Sequence, residues 1–301
     1  MKLSVVINTK NAAKTLEKTL KSVSDFADEV VVVDMESSDK TLKIAKKYKA
    51  RIFKHKDLGY VEPARNFAIS KAKGSWIFIL DADEELDDEI KRVAKSIVSD
   101  EVGEAFKADC YYIPRKNLIF NKWIKHTGWW PDYQLRFFKK GHVEWLDEIH
   151  SFPITQGVVK QLPAKEELAI LHHNYEAVSD FITRLNRYSE IQAKEIIKSD
   201  GAKHDIFDSF SGEFLSRLFA QDGIRDGAHG LSLSLLQAMN EAVIQMKVGF
   251  EKKEDDFDSR NLIFSLRKFQ KDLNYWLADY ELLHSSGFKK IYWRLRRKLK
   301  L

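Results

Sequence analysis

Short apolar runs and amphipathic stretches alternate through the first hundred residues of the 301-residue chain. Residues 3–7, 29–33, 51–53 and 75–80 are rich in Val, Ile, Leu and Phe, the pattern of strands buried on both faces. Between them Leu16, Leu20 and Val23, then Leu42, Ile44 and Ala45, then Phe67, Ala68 and Ile69 predict helices. Asn11, Ser38 and Glu62-Pro63 stand where the helix starts are expected. Strand-helix-strand alternation at this spacing predicts a parallel sheet with right-handed crossovers, whose ligands sit at the carboxyl ends of the strands. That rule directs attention to Asn8-Thr9, to Asp34 and to Asp81-Ala82-Asp83.

Beyond residue 100 the pattern changes. Residues 110–113, 133–138 and 168–171 read as aromatic-rich strands separated by longer loops, one of which holds Gly128-Trp129-Trp130-Pro131. After Tyr175, Phe181, Leu185, Tyr188, Ile191 and Ile196 fall close to one helical face. A second helical block over 231–250 follows the glycine-bearing turn Asp222-Gly223-Ile224-Arg225-Asp226-Gly227. The expected organisation is an α/β domain over 1–175, with halves at 1–100 and 101–175, then a helical region over 176–301.

Composition narrows the function classes. Lys+Arg total 50 against 45 Asp+Glu, a net charge of +5, too small an excess for a nucleic-acid binder unless clustered. The single cysteine, Cys110, excludes an intrachain disulfide and a multi-cysteine zinc site. No run of ~18 apolar residues predicts a bilayer-spanning helix, and the first apolar run is too short for a signal peptide, so a cytoplasmic protein is expected. The turn after the first strand reads Asn8-Thr9-Lys10-Asn11-Ala12, without the glycines that cradle phosphates in dinucleotide enzymes. No glycine-rich loop ends in Gly-Lys-Ser/Thr either. A nucleotide bound here needs another source of charge neutralisation.

The acids offer one. Residues 81–89 hold seven carboxylates in nine positions directly after an apolar strand. For Glu84 to Glu89 the expected role is to favour the next helix's N-terminus through its dipole. Asp81 and Asp83 differ by standing at the carboxyl edge of a buried strand. A hard divalent cation wants oxygen ligands, and one or two carboxylates suffice when a diphosphate supplies the rest.

In order and spacing, these segments resemble the family-2 glycosyltransferases of GT-A fold. They are Ser4-Val5-Val6-Ile7-Asn8-Thr9-Lys10-Asn11, Val33-Asp34-Met35-Glu36-Ser37-Ser38-Asp39-Lys40-Thr41, Arg65-Asn66 and Asp81-Ala82-Asp83-Glu84. His126-Thr127-Gly128-Trp129-Trp130-Pro131-Asp132, Arg136-Phe137-Phe138 and Ile149-His150 are similar to the branch of bacterial lipopolysaccharide inner-core glucosyltransferases. Asp226-Gly227-Ala228-His229-Gly230-Leu231 is similar to a turn in that branch's helical region. The resemblance implies a GT-A-type nucleotide-sugar-binding sheet flanked by helices, with a C-terminal helical extension. It further implies an inverting, metal-dependent transfer of a hexose, glucose being the expected one, from a UDP-sugar to a glycan acceptor such as lipopolysaccharide core.

Carried over by position, Thr9, Asn11 and Asp34 belong to nucleotide-sugar binding. Arg65 would hold the first acid of the Asp-x-Asp motif or approach the donor, Asp81 would bond the ribose or sugar, and Asp83 would bind Mg²⁺ or Mn²⁺. An inverting displacement needs a carboxylate to take the acceptor's proton. The related branch often shows His-Glu where this chain reads His150-Ser151, so the candidates are Glu148 and Asp147, with Asp132 as an alternative. Trp129, Trp130 and Asp132 are candidates for acceptor binding, and His172 and His173 for a late ligand of the metal or diphosphate. The tail, 288–301, carries seven Lys/Arg and no acid, with Phe288, Ile291, Leu295 and Leu299 at spacings of three to four. That pattern suits peripheral contact with an anionic membrane surface. Two other readings stay open: a sugar-phosphate nucleotidyltransferase, and a non-catalytic glycan-binding relative.

Overall fold

The computed structural model describes residues 2–59, 61–146, 153–199, 205–252 and 259–300. Asp147, Glu148, His150 and Ser151 lie outside the described residues. In chain order the strands are β1 (Leu3–Thr9), β2 (Glu29–Asp34), β3 (Arg51–Lys54), β4 (Trp76–Asp81), β5 (Glu84–Leu86) and β6 (Cys110–Ile119). There follow β7 (Lys122–Trp123), β8 (Asp132–Lys139), β9 (Val143–Glu144), β10 (Ile154–Thr155), β11 (Val159–Gln161) and β12 (Ile170–Tyr175). The helices are α1 (Leu16–Val23), α2 (Thr41–Lys47), α3 (Glu62–Lys71), α4 (Asp88–Val98) and α5 (Val178–Lys198). The last four are α6 (Ile206–Leu215), α7 (Ala228–Glu251), α8 (Ser259–His284) and α9 (Gly287–Leu299).

The chain divides into two compact units. The first comprises Met1–Ile119 and Trp130–Asn174, the second Phe120–Trp129 and Tyr175–Leu301. The first holds a mixed sheet with strand order β3-β2-β1-β4-β8-β6-β12-β5, β11 pairing with β6. β1 to β4 run parallel, and β8 returns antiparallel to β4 and β6. This is the α/β sheet that the sequence leads one to expect, extended by antiparallel strands.

Alternation along β1 builds the core. Leu3, Val5 and Ile7 face one layer with Leu16 and Leu20 of α1 and Ile90 of α4. Val6 faces the other with Val31 and Val33 of β2 and Ala68 and Ile69 of α3. Val5, Val6 and Ile7 are fully excluded from solvent, and each buried side chain of this size stabilises the fold by about 1.5–3 kcal/mol. A two-faced core of this kind leaves only the strand ends for polar chemistry.

Some local expectations shift. α1 starts at Leu16 and α2 at Thr41, several residues after Asn11 and Ser38. Those two polar residues hold one loop to the other: Asn11 Oδ1 accepts from the Ser38 backbone N–H at 2.8 Å, and Ser37 Oγ accepts from Asn11 N–H at 2.9 Å. Leu168 belongs to a short 3-10 turn, and β12 starts at Ile170. Glu84 and Glu85 form part of a strand, so within 81–89 only Asp88 and Glu89 occupy a helix's first turn. In the second unit α5 packs on α7 through Ala193, Ile244 and Val248.

Candidate active site

Three parallel strands end side by side in polar residues. Register pairs Thr9 of β1 with Asp34 of β2, and Asn8 of β1 with Asp81 of β4. Asn8, Thr9 and Asp34 are all buried, because each belongs to a strand covered on both faces. Asn8 Nδ2 donates to the Ala64 carbonyl at 3.0 Å, and Asp34 Oδ2 accepts from Ser37 N–H at 3.2 Å. Asn8 Oδ1, Thr9 Oγ1 and Asp34 Oδ1 are buried and have no partner. Buried polar atoms are nearly always satisfied, so three such atoms at one sheet edge mark a place built for a ligand.

Beside this edge sits an ion network with three acids and three arginines. Arg136 of β8 bridges Asp81 and Glu84, donating to Glu84 Oε1 at 2.8 Å and to Asp81. Arg65 of α3 reaches Asp81 Oδ1 at 3.2 Å. Arg115 of β6 lies 3.3 Å from Glu84 Oε1 and 2.6 Å from Asp132 Oδ2. Glu84, fully buried, also accepts from the Asp81 backbone N–H at 2.8 Å through Oε2. The strand period brings part of this together: Asp132 and Gln134 share one face of β8, Arg115 and Asn117 share one face of β6, and an irregularity in the β6–β8 register falls at Arg136. Burial raises the Asp81 carboxyl, but Arg136, Arg65 and Arg115 outweigh it and hold it well below the usual range. The same acids raise the Arg136 guanidinium against the opposing effect of burial. Asp81 is thus a fixed, ionised acid whose charge is already answered.

Asp83 is placed differently. Its Oδ1 lies 3.6 Å from His172 Nε2, beyond hydrogen-bond length, and its carbonyl accepts from His173 N–H at 3.0 Å. His173 instead pairs with Glu85 at 2.5 Å. Among the described residues no group of three or more His, Cys, Asp or Glu converges as a metal site. A carboxylate and an imidazole nevertheless form a donor pair suited to a divalent cation whose remaining ligands are phosphate and water.

The other expected site residues separate. Asn11 is exposed and engaged between loops. Asp132 accepts from Arg115, from Asn117 at 3.0 Å and from Gln134 at 2.9 Å; burial opposes these partners, yet they hold its carboxyl below the usual range. A carboxylate so occupied is a sheet anchor, poorly suited to taking an acceptor's proton or bonding its hydroxyls. Trp130 belongs to the first unit and is half-buried. Trp129 belongs to the second, edge-on to Tyr175 at 6.4 Å. Arg115 and Asn117 were not singled out by sequence reasoning, and Glu84 was expected to favour the next helix's N-terminus. Their signal was present: an Arg and an Asn two apart in a strand that begins Cys-Tyr-Tyr-Ile, and an acid directly behind Asp-x-Asp.

Within the second unit, two motifs a hundred residues apart form one clasp. Asp226, buried, accepts from the His126 backbone N–H at 2.9 Å, lies 3.0 Å from His126 Nδ1, and accepts from Thr127 Oγ1 at 3.3 Å. Arg217 donates to the Thr127 carbonyl at 2.8 Å. A Cβ on Gly230 would lie 1.8 Å from the Gly223 carbonyl oxygen, so this turn admits only glycine there.

Parallel strands of a mixed α/β sheet that end in unpartnered polar atoms, next to an Asp-x-Asp motif, are consistent with the site of an α/β enzyme. Comparison with known proteins is more specific. The chain belongs to the glycosyl transferase family 2, whose sequence profile matches residues 4–160, and is a glycosyltransferase. It is 32% identical over 205 residues to an uncharacterized glycosyltransferase of Rickettsia bellii (strain RML369-C), covering 65% of this chain and 68% of that one. Glycosyltransferase SunS of Bacillus phage SPbeta is 27% identical over 195 residues, 62% of this chain and 43% of that one. Among solved structures, S. aureus TarS 1-349 in complex with UDP aligns over 100% of this chain and 89% of that one, with 17% identity and a TM-score of 0.44. Membership of the family gives the GT-A fold, in keeping with the α/β sheet and C-terminal helices described above.

Proposed function

We propose that this glycosyltransferase is an inverting, cation-dependent enzyme that moves a hexose, glucose, from UDP to a glycan acceptor such as lipopolysaccharide core or another cell-surface glycan. The observation that carries the reading is the set of unsatisfied buried atoms at the ends of β1 and β2. A uracil edge offers an N–H flanked by carbonyls; Asp34 Oδ1 accepts the first, and the Thr9 hydroxyl donates to the second. Asp81, locked by its arginines, presents a fixed acceptor to the ribose or sugar hydroxyls. A divalent cation held by Asp83 and His172 would offset the charge that develops on the departing diphosphate. The proton of the acceptor hydroxyl goes to Glu148 or Asp147, since the carboxylate of Asp132 is already committed.

α9 supports a place of work at the inner face of the cell membrane. Phe288 is 92% exposed, and Ile291, Leu295 and Leu299 are each more than half exposed. Arg297 and Lys300 pair with Asp279 and Asp272 of α8 at 2.5 and 2.9 Å. Lys289, Lys290, Arg294 and Lys298 have no carboxylate partner among the described residues, which leaves charge for anionic lipid. No helix among the described residues is long and apolar enough to cross a membrane.

The decisive experiment is UDP release from UDP-glucose, UDP-galactose and UDP-GlcNAc, with Mn²⁺ and with chelator. Mn²⁺-stimulated release with UDP-glucose preferred supports the reading; release of pyrophosphate from UTP and a sugar phosphate would replace it with a nucleotidyltransferase. Donor binding without turnover under any condition would favour the glycan-binding relative. Glu148→Gln and Asp147→Asn should keep donor affinity and lose transfer; normal transfer in the double variant excludes both as the base.

A further inference from the structure

Asn117 stands in β6, fully buried, between one partner on each flanking strand. Its Nδ2 lies 3.0 Å from Asp132 Oδ2 of β8, and its Oδ1 lies 2.7 Å from His172 Nδ1 of β12. A carboxamide has one donor end and one acceptor end, so its orientation decides which hydrogen His172 carries. That orientation is imposed from the far side. Arg115 converges on the same Asp132 oxygen through Nε at 2.8 Å, so this oxygen only accepts, and the amide must offer it Nδ2. Oδ1 then faces His172, and an oxygen acceptor requires the hydrogen to be on Nδ1. In the neutral ring the other nitrogen, Nε2, is left with its lone pair, on the side of Asp83, 3.6 Å from Oδ1.

We infer that Asn117 is a positioning residue: together with Asp132 it fixes His172 as the Nδ1–H tautomer and aims Nε2 at the place a divalent cation would share with Asp83. The inference rests on the cation reading above and adds what sets the ligand's orientation. Metal-binding histidines usually donate their second ring N–H to a fixed acceptor, and removing that acceptor typically costs 10–100-fold in metal affinity. Here the acceptor is an amide oxygen whose own direction is set by a charged pair one strand further on.

The test reads the tautomer directly, without activity and without metal. Long-range ¹H–¹⁵N correlation spectra of the metal-free, full-length protein labelled at histidine distinguish the two tautomers, with His172→Gln giving the assignment. The expected result is Nδ1–H at His172 and a change to Nε2–H in Asn117→Ala. Mn²⁺ affinity, from the electron paramagnetic resonance signal of free Mn²⁺, should fall about 10–100-fold in Asn117→Ala. Asn117→Ser serves the same comparison if the alanine variant does not fold, and the wild-type spectrum needs no variant. Nε2–H in the wild type overturns the inference, as does an Asn117→Ala protein with unchanged tautomer and Mn²⁺ affinity. If the wild type shows Nδ1–H yet binds no Mn²⁺, the cation reading fails while the tautomer assignment stands, which separates the two failures.

Discussion

Glu84→Gln changes one atom and should be among the costliest conservative substitutions in the first unit. Glu84 uses both oxygens: Oε1 receives Arg136 at 2.8 Å and Arg115 at 3.3 Å, and Oε2 receives the Asp81 N–H at 2.8 Å. Glutamine keeps one acceptor. Whichever way the amide turns, its NH₂ faces either a guanidinium or a backbone N–H. One charge-assisted hydrogen bond worth about 1.5–3 kcal/mol is lost, and a buried donor is left unpaired at a further ~1–3 kcal/mol. Removing one partner from a buried ion pair costs about 3–5 kcal/mol by another route, in agreement. A loss of about 4 kcal/mol in a unit of this size lowers its melting temperature by roughly 8–16 °C.

The control is the next residue. Glu85 is partly exposed and pairs with His173, so Glu85→Gln should cost about 1 kcal/mol or less, a shift of roughly 4 °C at most. Differential scanning calorimetry of the two variants and the wild type makes the comparison. Equal melting temperatures for Glu84→Gln and wild type would refute the claim that Glu84 holds Asp81 and the arginines together. A large shift in Glu85→Gln would refute the ranking by burial.

Three further outcomes follow from the same geometry. Asp81 and Asp132 have native values below the usual carboxylate range, so the stability they contribute is complete above about pH 4, the unfolded value, and is lost as pH falls through the native values. Asp132→Asn should therefore flatten the acid limb of stability below pH 4 in thermal melts, and an unchanged limb would count against its ion pair. Burial, aided by Asp109, pushes the Cys110 thiol up to about 11, so thiol reagents at pH 8 should label it only after denaturation; rapid labelling of the native protein would contradict its burial. Lys289→Glu combined with Lys290→Glu should weaken sedimentation with anionic vesicles, steeply with salt, and leave transfer to a soluble acceptor unchanged; equal vesicle binding would remove the membrane role from α9.

The sheet was legible in the chain because buried parallel strands are almost entirely apolar, as at residues 3–7, where only Ser4 is polar, and at 76–80. The ends of those strands were legible too, since Asn8, Asp34 and Asp81 are the first polar residues after them. α8, 26 residues long, lies in the expected helical region but was not singled out, although Leu262, Leu266, Phe269, Leu273, Trp276 and Tyr280 recur at spacings of three and four along it. Nor was the clasp of residues 120–129 by Asp226. It joins positions separated by a hundred residues through the His126 backbone N–H and ring and the Thr127 hydroxyl, and no local periodicity encodes such a pairing. Arg115 and Asn117 were hidden for a related reason: a polar residue in a strand shows its purpose only when its cross-strand partners are known.

The acidic run 81–89 shows how little composition decides. Asp81 and Glu84 face inward and are neutralised by arginines from α3, β6 and β8. Glu85 alternates to another side and takes His173. Asp88 and Glu89 open α4, where the helix dipole favours them and Lys91 and Arg92 pair with them. Asp83 Oδ1 lies 3.6 Å from His172 Nε2. Strand period and burial sort chemically equivalent carboxylates into sheet anchors and first-turn acids of a helix. On the cation reading proposed above, the arginines that answer the charge of Asp81 within the protein would keep it from competing for the ion, leaving Asp83 as the one carboxylate that holds it. Replacing Arg136 by Met should then do more than destabilise: it should leave Asp81, two residues from Asp83, answered chiefly by Arg65 at 3.2 Å, raising Mn²⁺ affinity in metal titrations of whatever fraction stays folded. Weaker Mn²⁺ binding in that variant would show that the arginines support the cation site directly, and the division of roles argued here would be wrong.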